Sequence, residues 1–180
     1  MKVGIVLGST REGRAGESVA NWVARTAEGR SEGAEYTLID LKEFNVPILS
    51  SETVPAAAGK KYDVPEVQAW SDAIDACDAY IFVTPEYNHS VPGPFKNAFD
   101  ILGSEWAGKA IAFVGYGSVG GVRAVEAWRL AVANFQMKQL RNQVDLNLYH
   151  DFKDGAVAPT DQQIQKLDTV LAELEELAKS

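Results

Sequence analysis

Ala79-Tyr80-Ile81-Phe82-Val83-Thr84 and Ala110-Ile111-Ala112-Phe113-Val114-Gly115 are short apolar runs, rich in β-branched and aromatic residues and free of polar alternation. A strand with one wet face alternates, whereas a strand covered on both faces reads as an unbroken apolar run. Similar runs stand at Val3–Leu7 and Tyr36–Ile39, with a weaker one near Gln139–Leu146. Between them lie helical patterns. Val19, Trp22, Val23 and Ala27 share one stripe over Ser18–Glu28, and Val67, Trp70 and Ile74 follow Pro65, a residue suited to a first helical position. Pro94 opens the next helix, with Phe95, Ala98, Phe99 and Leu102 inward, and another covers roughly Gly121–Phe135. The last helix starts with a capping box, Thr160 and Gln163, and carries Ile164, Leu167, Val170, Leu171, Leu174 and Leu177. Its acidic residues form a solvated face. Five strand–helix alternations make an α/β fold, a parallel sheet with helices on both faces. No linker or repeat divides the 180 residues, so residues 1–180 are expected to form a single domain.

Composition narrows the function. At 46% hydrophobic and 23% charged, the chain is an ordinary globular one. A formal net charge of −8 disfavours nucleic acid and anionic membrane as partners. The first 30 residues run against that balance, with Lys2, Arg11, Arg14, Arg25 and Arg30 facing only Glu12, Glu17 and Glu28. A locally positive N-terminal region on an acidic protein suits a small anionic ligand. The lone cysteine, Cys77, cannot bridge internally and fits a reducing compartment. The opening apolar run is too short for a signal-peptide core, so a cytoplasmic location is expected.

In an open parallel sheet the ligand lies beyond the carboxyl ends of the strands, where strand order reverses. Three loops are therefore decisive. The first, Gly8-Ser9-Thr10-Arg11-Glu12-Gly13-Arg14-Ala15-Gly16-Glu17-Ser18, feeds directly into a helix. Hydroxyls, guanidiniums and first-turn N–H groups together favour a phosphate monoester. A capped helix with solvated arginines is the competing reading. No Gly-Lys-Ser/Thr follows the glycines, which argues against a triphosphate-cradling loop. The loop after the third strand, Thr84 to Pro94, holds three prolines and presents Tyr87, Asn88 and Ser90. A ring face, an amide and a hydroxyl at fixed positions suit a planar heterocycle; a stiff cap on the sheet is the alternative.

The third loop, Gly115-Tyr116-Gly117-Ser118-Val119-Gly120-Gly121, matches the dinucleotide fingerprint literally. That fingerprint belongs to the first strand of its unit, however, and only 59 residues remain after Gly121. A glycine-rich wall against a flat ligand is the better account. His89, His150 and Cys77 show no metal spacing, and no Gly-x-Ser-x-Gly elbow is present. Lys96 and Asp100 stand four apart and suit a surface pair. The Pro47–Val64 stretch is long for a connection and is either functional or a plain excursion.

Taken together, Gly8-Ser9-Thr10-Arg11 with Arg14 and Ser18, the block Pro85 to Gly93, and Lys96-Asn97-Ala98-Phe99-Asp100 resemble the NAD(P)H-dependent FMN reductase family, from Lys2 to about Leu148. The resemblance implies a flavodoxin-like three-layer sandwich with a five-stranded parallel sheet in the order 2-1-3-4-5. It implies that Ser9, Arg11 and Ser18 hold the FMN phosphate, with Thr10, Arg14, Glu17 and Val19 lining the same loop. Pro85, Glu86, Tyr87, Asn88 and Ser90 would border the flavin ring, and Ser118, Gly120 and Gly121 would approach it from the third loop. NADPH or NADH would supply hydride, and a small-molecule acceptor (a flavin, quinone, azo compound or metal oxyanion) would take the electrons. No catalytic side chain is then needed; backbone N–H groups of Glu86–Asn88 would stabilise charge on the reduced ring. The resemblance also implies a homodimer or homotetramer, with Phe99 or Trp106 as candidate interface residues. A flavodoxin-like electron carrier without a nicotinamide site is the alternative, and a flavin-binding regulatory protein is a third reading. Arg11 and Arg14 count against a carrier.

Overall fold

The computed structural model describes residues 1–30 and 33–180. Strands β1 (Lys2–Leu7), β2 (Glu35–Asp40), β3 (Ala79–Pro85) and β4 (Ala110–Gly117) pair in parallel in the order β2-β1-β3-β4. The fifth position is shared. Both β5 (Lys138–Gln139) and β6 (Val144–Asn147) pair in parallel with the outer edge of β4, where sequence pattern gave one weak strand. The break between them has a cause. Arg129 donates to the carbonyls of Leu140 at 2.7 Å and Arg141 at 3.1 Å, so the backbone can leave the ladder with its acceptors satisfied.

Helices α1 (Gly16–Glu28) and α6 (Asp161–Lys179) cover one face; α3 (Pro65–Asp75), α4 (Gly93–Asp100) and α5 (Val122–Ala133) cover the other. A short α2 (Leu41–Phe44) follows β2, and a small antiparallel hairpin, β7 (Phe152–Lys153) and β8 (Ala156–Val157), precedes α6. Alternate residues of β3 explain the two layers. Ile81 and Val83 pack with α1 and α6, while Tyr80 and Phe82 enter the opposite core, and all four are fully buried.

That second core is aromatic. The Phe82 ring lies 4.7 Å from Phe95, 5.1 Å from Trp128 and 5.7 Å from Trp106, mostly edge to face. Such pairs add about 0.5–1.5 kcal/mol each beyond burial. The indole N–H groups are satisfied inside it: Trp70 donates to Ala98, Trp106 to Phe99 and Trp128 to the Thr84 hydroxyl. Phe99 and Trp106 are 1% and 0% exposed, so the interface expected for them is corrected to core.

The 47–64 stretch is anchored at several points. Asn97 accepts from Leu49 N–H and donates to the Pro47 carbonyl, at 2.9 and 2.8 Å. Tyr62 reaches the buried Glu105 carboxylate at 2.8 Å, which also accepts from Ser71 and from Gly103 N–H. A cavity of about 380 Å³ lies under this stretch, against Val67 and Ile101.

The capping box at Thr160 forms with both arms, and α6 buries Leu167, Val170, Leu171 and Leu174. Ile164, expected on the same stripe, is 39% exposed. Glu175 departs from the solvated face expected of the acidic residues. It is 6% exposed and accepts from Arg30 at 3.1 Å and from the Tyr36 hydroxyl at 2.6 Å. Burial pushes its carboxyl up, but these hydrogen bonds and the Arg30 charge outweigh burial and hold it below its ordinary value. A carboxyl depressed in the folded chain adds stability above its unfolded pKa and loses it as pH falls through the folded one. Thermal unfolding followed downward from neutral pH should therefore show an acid loss beginning near about pH 4.3. Glu175→Gln should flatten that limb and cost roughly 1–3 kcal/mol at neutral pH; an unchanged acid limb would remove Glu175 as its source.

Candidate functional site

At the carboxyl end of β1 the chain leaves the sheet between β2 and β3, the point where strand order reverses. The loop that follows is held from the side by Arg14. Its guanidinium forks onto both oxygens of Asp40, at 2.7 Å for one bond, and also donates to the Ser9 carbonyl. Asp40 closes β2 and caps α2 by accepting from Lys42 N–H. The hydrogen bond to Asp40 pushes the ionisation of Arg14 upward against burial. With its side chain only 8% exposed, Arg14 holds the loop together. Arg11, by contrast, is exposed and has no ion-pair partner among the described residues. Glu12, also exposed, pairs with Lys42 at 2.7 Å.

Helix α1 starts at Gly16 behind Ala15, and no side chain caps it. Its first N–H groups therefore face the loop, with the positive end of the helix dipole behind them. Of the other residues expected here, Thr10 is half-buried, Ser9 is 2% exposed beneath the loop, and Glu17 is exposed with its carboxylate 4.0 Å from Arg14. The Ser18 hydroxyl donates to the Ala15 carbonyl at 2.8 Å and accepts from Val157 N–H at 3.0 Å. Val19 is fully buried among the core side chains of α1, so only its backbone belongs to this segment.

Beyond Pro85, Tyr87 and Ser90 exchange both backbone hydrogen bonds at 3.0 Å. Asn88 and His89 make the two-residue tip, with φ of 49° and 70°. Two central residues with positive φ are what a tight type I′ turn requires, and asparagine tolerates that region. The tip thus sets Asn88 and His89 outward, flanked by half-buried Tyr87 and Ser90. Glu86 N–H donates to the Tyr116 carbonyl and Tyr87 N–H to Ser90. Of the three N–H groups expected to stabilise a reduced ring, only that of Asn88 is left uncommitted among the described residues.

The Glu86 carboxylate turns the other way. Its side chain is 6% exposed and accepts from Arg123 N–H at 3.1 Å and from the Arg123 guanidinium at 2.9 Å. This closes the N-terminus of α5, which has no capping side chain of its own. The literal G-x-G-x-x-G of this loop therefore leads to a helix end already occupied by a carboxylate, while the end of α1 stays open. Gly121 takes φ of 73°, and a Cβ there would lie 2.4 Å from Tyr116 N. Gly120 is likewise left-handed, and Ser118 is exposed beside it. The Ser118 carbonyl accepts from the Asn147 side chain at 2.9 Å.

Sequence reasoning missed Asp40, Arg123 and Val157, which position the loops; only Asp40, at a strand's carboxyl end, left a readable signal. Cys77 sits buried at the opposite end of β3, and burial pushes its thiol up. Lys96 and Asp100 pair on the surface of α4 at 2.6 Å. No group of His, Cys, Asp and Glu among the described residues could hold a metal ion. No helix among them is long and apolar enough to cross a membrane.

The donor set fits a ligand with a phosphate at one end and a flat polar ring at the other. The uncapped end of α1 and Arg11 suit the first; Tyr87, Asn88 and Ser90 suit the second. Comparison with known proteins agrees. The family described as NADPH-dependent FMN reductase matches residues 1–151. An NAD(P)H-dependent FMN reductase of Nectria sp is 38% identical over 126 residues, covering 68% of this chain and 63% of that protein. The chain thus spans less than two thirds of that relative's length. An NAD(P)H:quinone oxidoreductase of Solanum tuberosum is 27% identical, with 99% of this chain and 93% of that protein covered. Among solved structures, the NAD(P)H:(acceptor) oxidoreductase FerB of Paracoccus denitrificans superposes with a TM-score of 0.76 at 20% identity, covering 99% of this chain and 97% of that one. At that identity the likeness is one of fold, and the fold is flavodoxin-like.

Asp40→Asn should weaken the fork to Arg14 and lower stability by roughly 1.5–3 kcal/mol in denaturant unfolding. Hydrogen exchange should quicken in residues 8–16. Unchanged exchange there would mean that Arg14 does not depend on Asp40 for its position.

Proposed function

Since the chain belongs to the NADPH-dependent FMN reductase family, we propose that it is an NAD(P)H-dependent flavin oxidoreductase that binds FMN across the three loops and reduces a small-molecule acceptor. The observation that carries this reading is the contrast between two helix ends, α1 open beside Arg11 and α5 closed by Glu86. Of these two ends, only that of α1 is open to a phosphate monoester. Arg11 and the first-turn N–H groups of α1 hold it there, with Thr10 and Ser9 at the loop's inner side. Pro85 to Ser90 orient the ring, with the Tyr87 face and the Asn88 amide set by the tight turn. The glycines of Gly117 to Gly121, with Ser118, let the backbone approach the ring, and Val119 is the one large side chain exposed in the segment.

When bound, FMN supplies the two-electron chemistry, accepting hydride from NADPH or NADH and passing electrons on to a flavin, quinone or other acceptor. The protein's part is alignment and charge. The Asn88 N–H is the backbone donor free to face a developing negative charge, and Glu86, turned toward Arg123, keeps its own charge away. A homodimer or homotetramer is part of the proposal. It is supported by Val54 and Leu130, 66% and 81% exposed, on the rim of a groove of about 520 Å³ between α4 and α5. A cytoplasmic location accords with the single buried thiol.

Anaerobic addition of NADPH, then NADH, to the protein with FMN should bleach the flavin far faster than free FMN bleaches. A flavin that binds and stays yellow with both would leave the carrier reading standing instead. Arg11→Ala should weaken FMN binding by roughly 1.5–3 kcal/mol, the scale of a hydrogen bond to a charged group. Unchanged affinity in equilibrium titration would take the phosphate away from Arg11.

A further inference from the structure

Among the described residues, one buried side-chain oxygen or nitrogen makes no hydrogen bond, the phenolic oxygen of Tyr116. The rest of the buried polar set is satisfied. Glu105 accepts from Tyr62, Ser71 and Gly103, and Thr84 both accepts from Trp128 and donates to the Pro85 carbonyl. An unpaired buried hydroxyl has lost its water without compensation, and phenylalanine would fill the same space without that loss. A tyrosine at such a position points to a partner that the bare chain does not contain.

The position of the oxygen identifies that partner. Tyr116 lies in β4, opposite Pro85 on β3 and Leu146 on β6, and its side chain leans toward the α1 layer. A Cβ built on Gly16 would stand 2.2 Å from the phenolic oxygen, so the hydroxyl rests against the first residue of α1. Glycine at that position keeps the approach open. Burial pushes the phenol's ionisation upward, against Ser9, Arg14 and Arg11 nearby, so it remains a donor at neutral pH. Of the neighbouring groups, Arg14 is spent on Asp40 and the Ser18 hydroxyl on Ala15 and Val157, while among the described residues the Ser9 hydroxyl and Arg11 stay uncommitted and could serve the same anion.

We propose that Tyr116 is a further cofactor-binding residue, its hydroxyl donating a hydrogen bond to the phosphate monoester seated at the N-terminus of α1. The proposal rests on the FMN reading and adds to it a residue from the opposite side of the loop, reached through the sheet. Tyr116 then serves as a discriminator. It favours a phosphorylated flavin over the same ring system without phosphate, because only the former satisfies the orphaned hydroxyl.

The test compares FMN with riboflavin, by equilibrium titration on the wild-type chain and on Tyr116→Phe. In the variant, FMN affinity should fall about tenfold or more, the scale of one hydrogen bond to a charged group. Riboflavin affinity should stay within about twofold of wild type, a difference too small for such a bond. The flavin-free variant should melt no lower than the flavin-free wild type, and added inorganic phosphate should raise the melting temperature of wild type more than that of the variant. Equal losses for FMN and riboflavin, no loss for either, or a flavin-free variant that melts lower would each overturn the proposal. A wild-type chain that binds riboflavin and FMN equally would overturn it as well. A wild-type chain that binds neither would instead overturn the FMN reading on which the proposal stands.

Discussion

Helices α1 and α5 follow the glycine-bearing loops after β1 and β4, and neither N-terminus carries a capping side chain of its own. Each is a ready anion site, since the first turn of a helix carries unpaired N–H groups and the positive end of its dipole. The carboxylate of Glu86 makes them unequal. By accepting from both the backbone and the guanidinium of Arg123, it plugs α5 from the loop after β3. The same bonds tie the second and third loops into one wall. Without that contact the glycine-rich turn after β4 would compete with the β1 loop for any phosphate. With it, one end of the trough is anionic in preference and the other is fitted to a ring.

Rigidity comes from below. Tyr80, Phe82, Phe95, Phe99, Trp106 and Trp128 fill the space between the sheet and α4 and α5, and the Thr84 hydroxyl links Trp128 to the residue just before Pro85. The turn after β3 therefore springs from a strand end fixed by dense packing, while the loop after β1 is clamped laterally by Arg14 and Asp40. The two loops are held by different anchors.

Fold and loop positions were legible in the sequence because they follow from periodicity. The unbroken runs at Ala79–Thr84 and Ala110–Gly115 are buried parallel strands, and the helices start within a few residues of their expected places. The division of labour within the loops was not legible. Arg11 and Arg14 are the same residue type three positions apart, and only the fold brings Asp40 to one of them. The pairing of the Glu86 carboxylate with Arg123 likewise left no signal in the sequence. The split fifth strand depends on Arg129 reaching across from α5, which no local pattern encodes. Helical spacing puts Phe99 inward while the resemblance offers it, with Trp106, as an interface residue; the spacing is the better guide, and both lie over Phe82.

The β7–β8 hairpin lies past residue 151, where likeness to the family ends. Yet Val157 N–H holds the Ser18 hydroxyl, and the Phe152 ring lies 6.4 Å from that of Tyr116. The part of the chain past the matched span is thus in mechanical contact with the segment that follows β1. Kinship and physical autonomy follow different boundaries here. A change in the hairpin is therefore felt at the start of α1 without any residue of the β1 loop being altered.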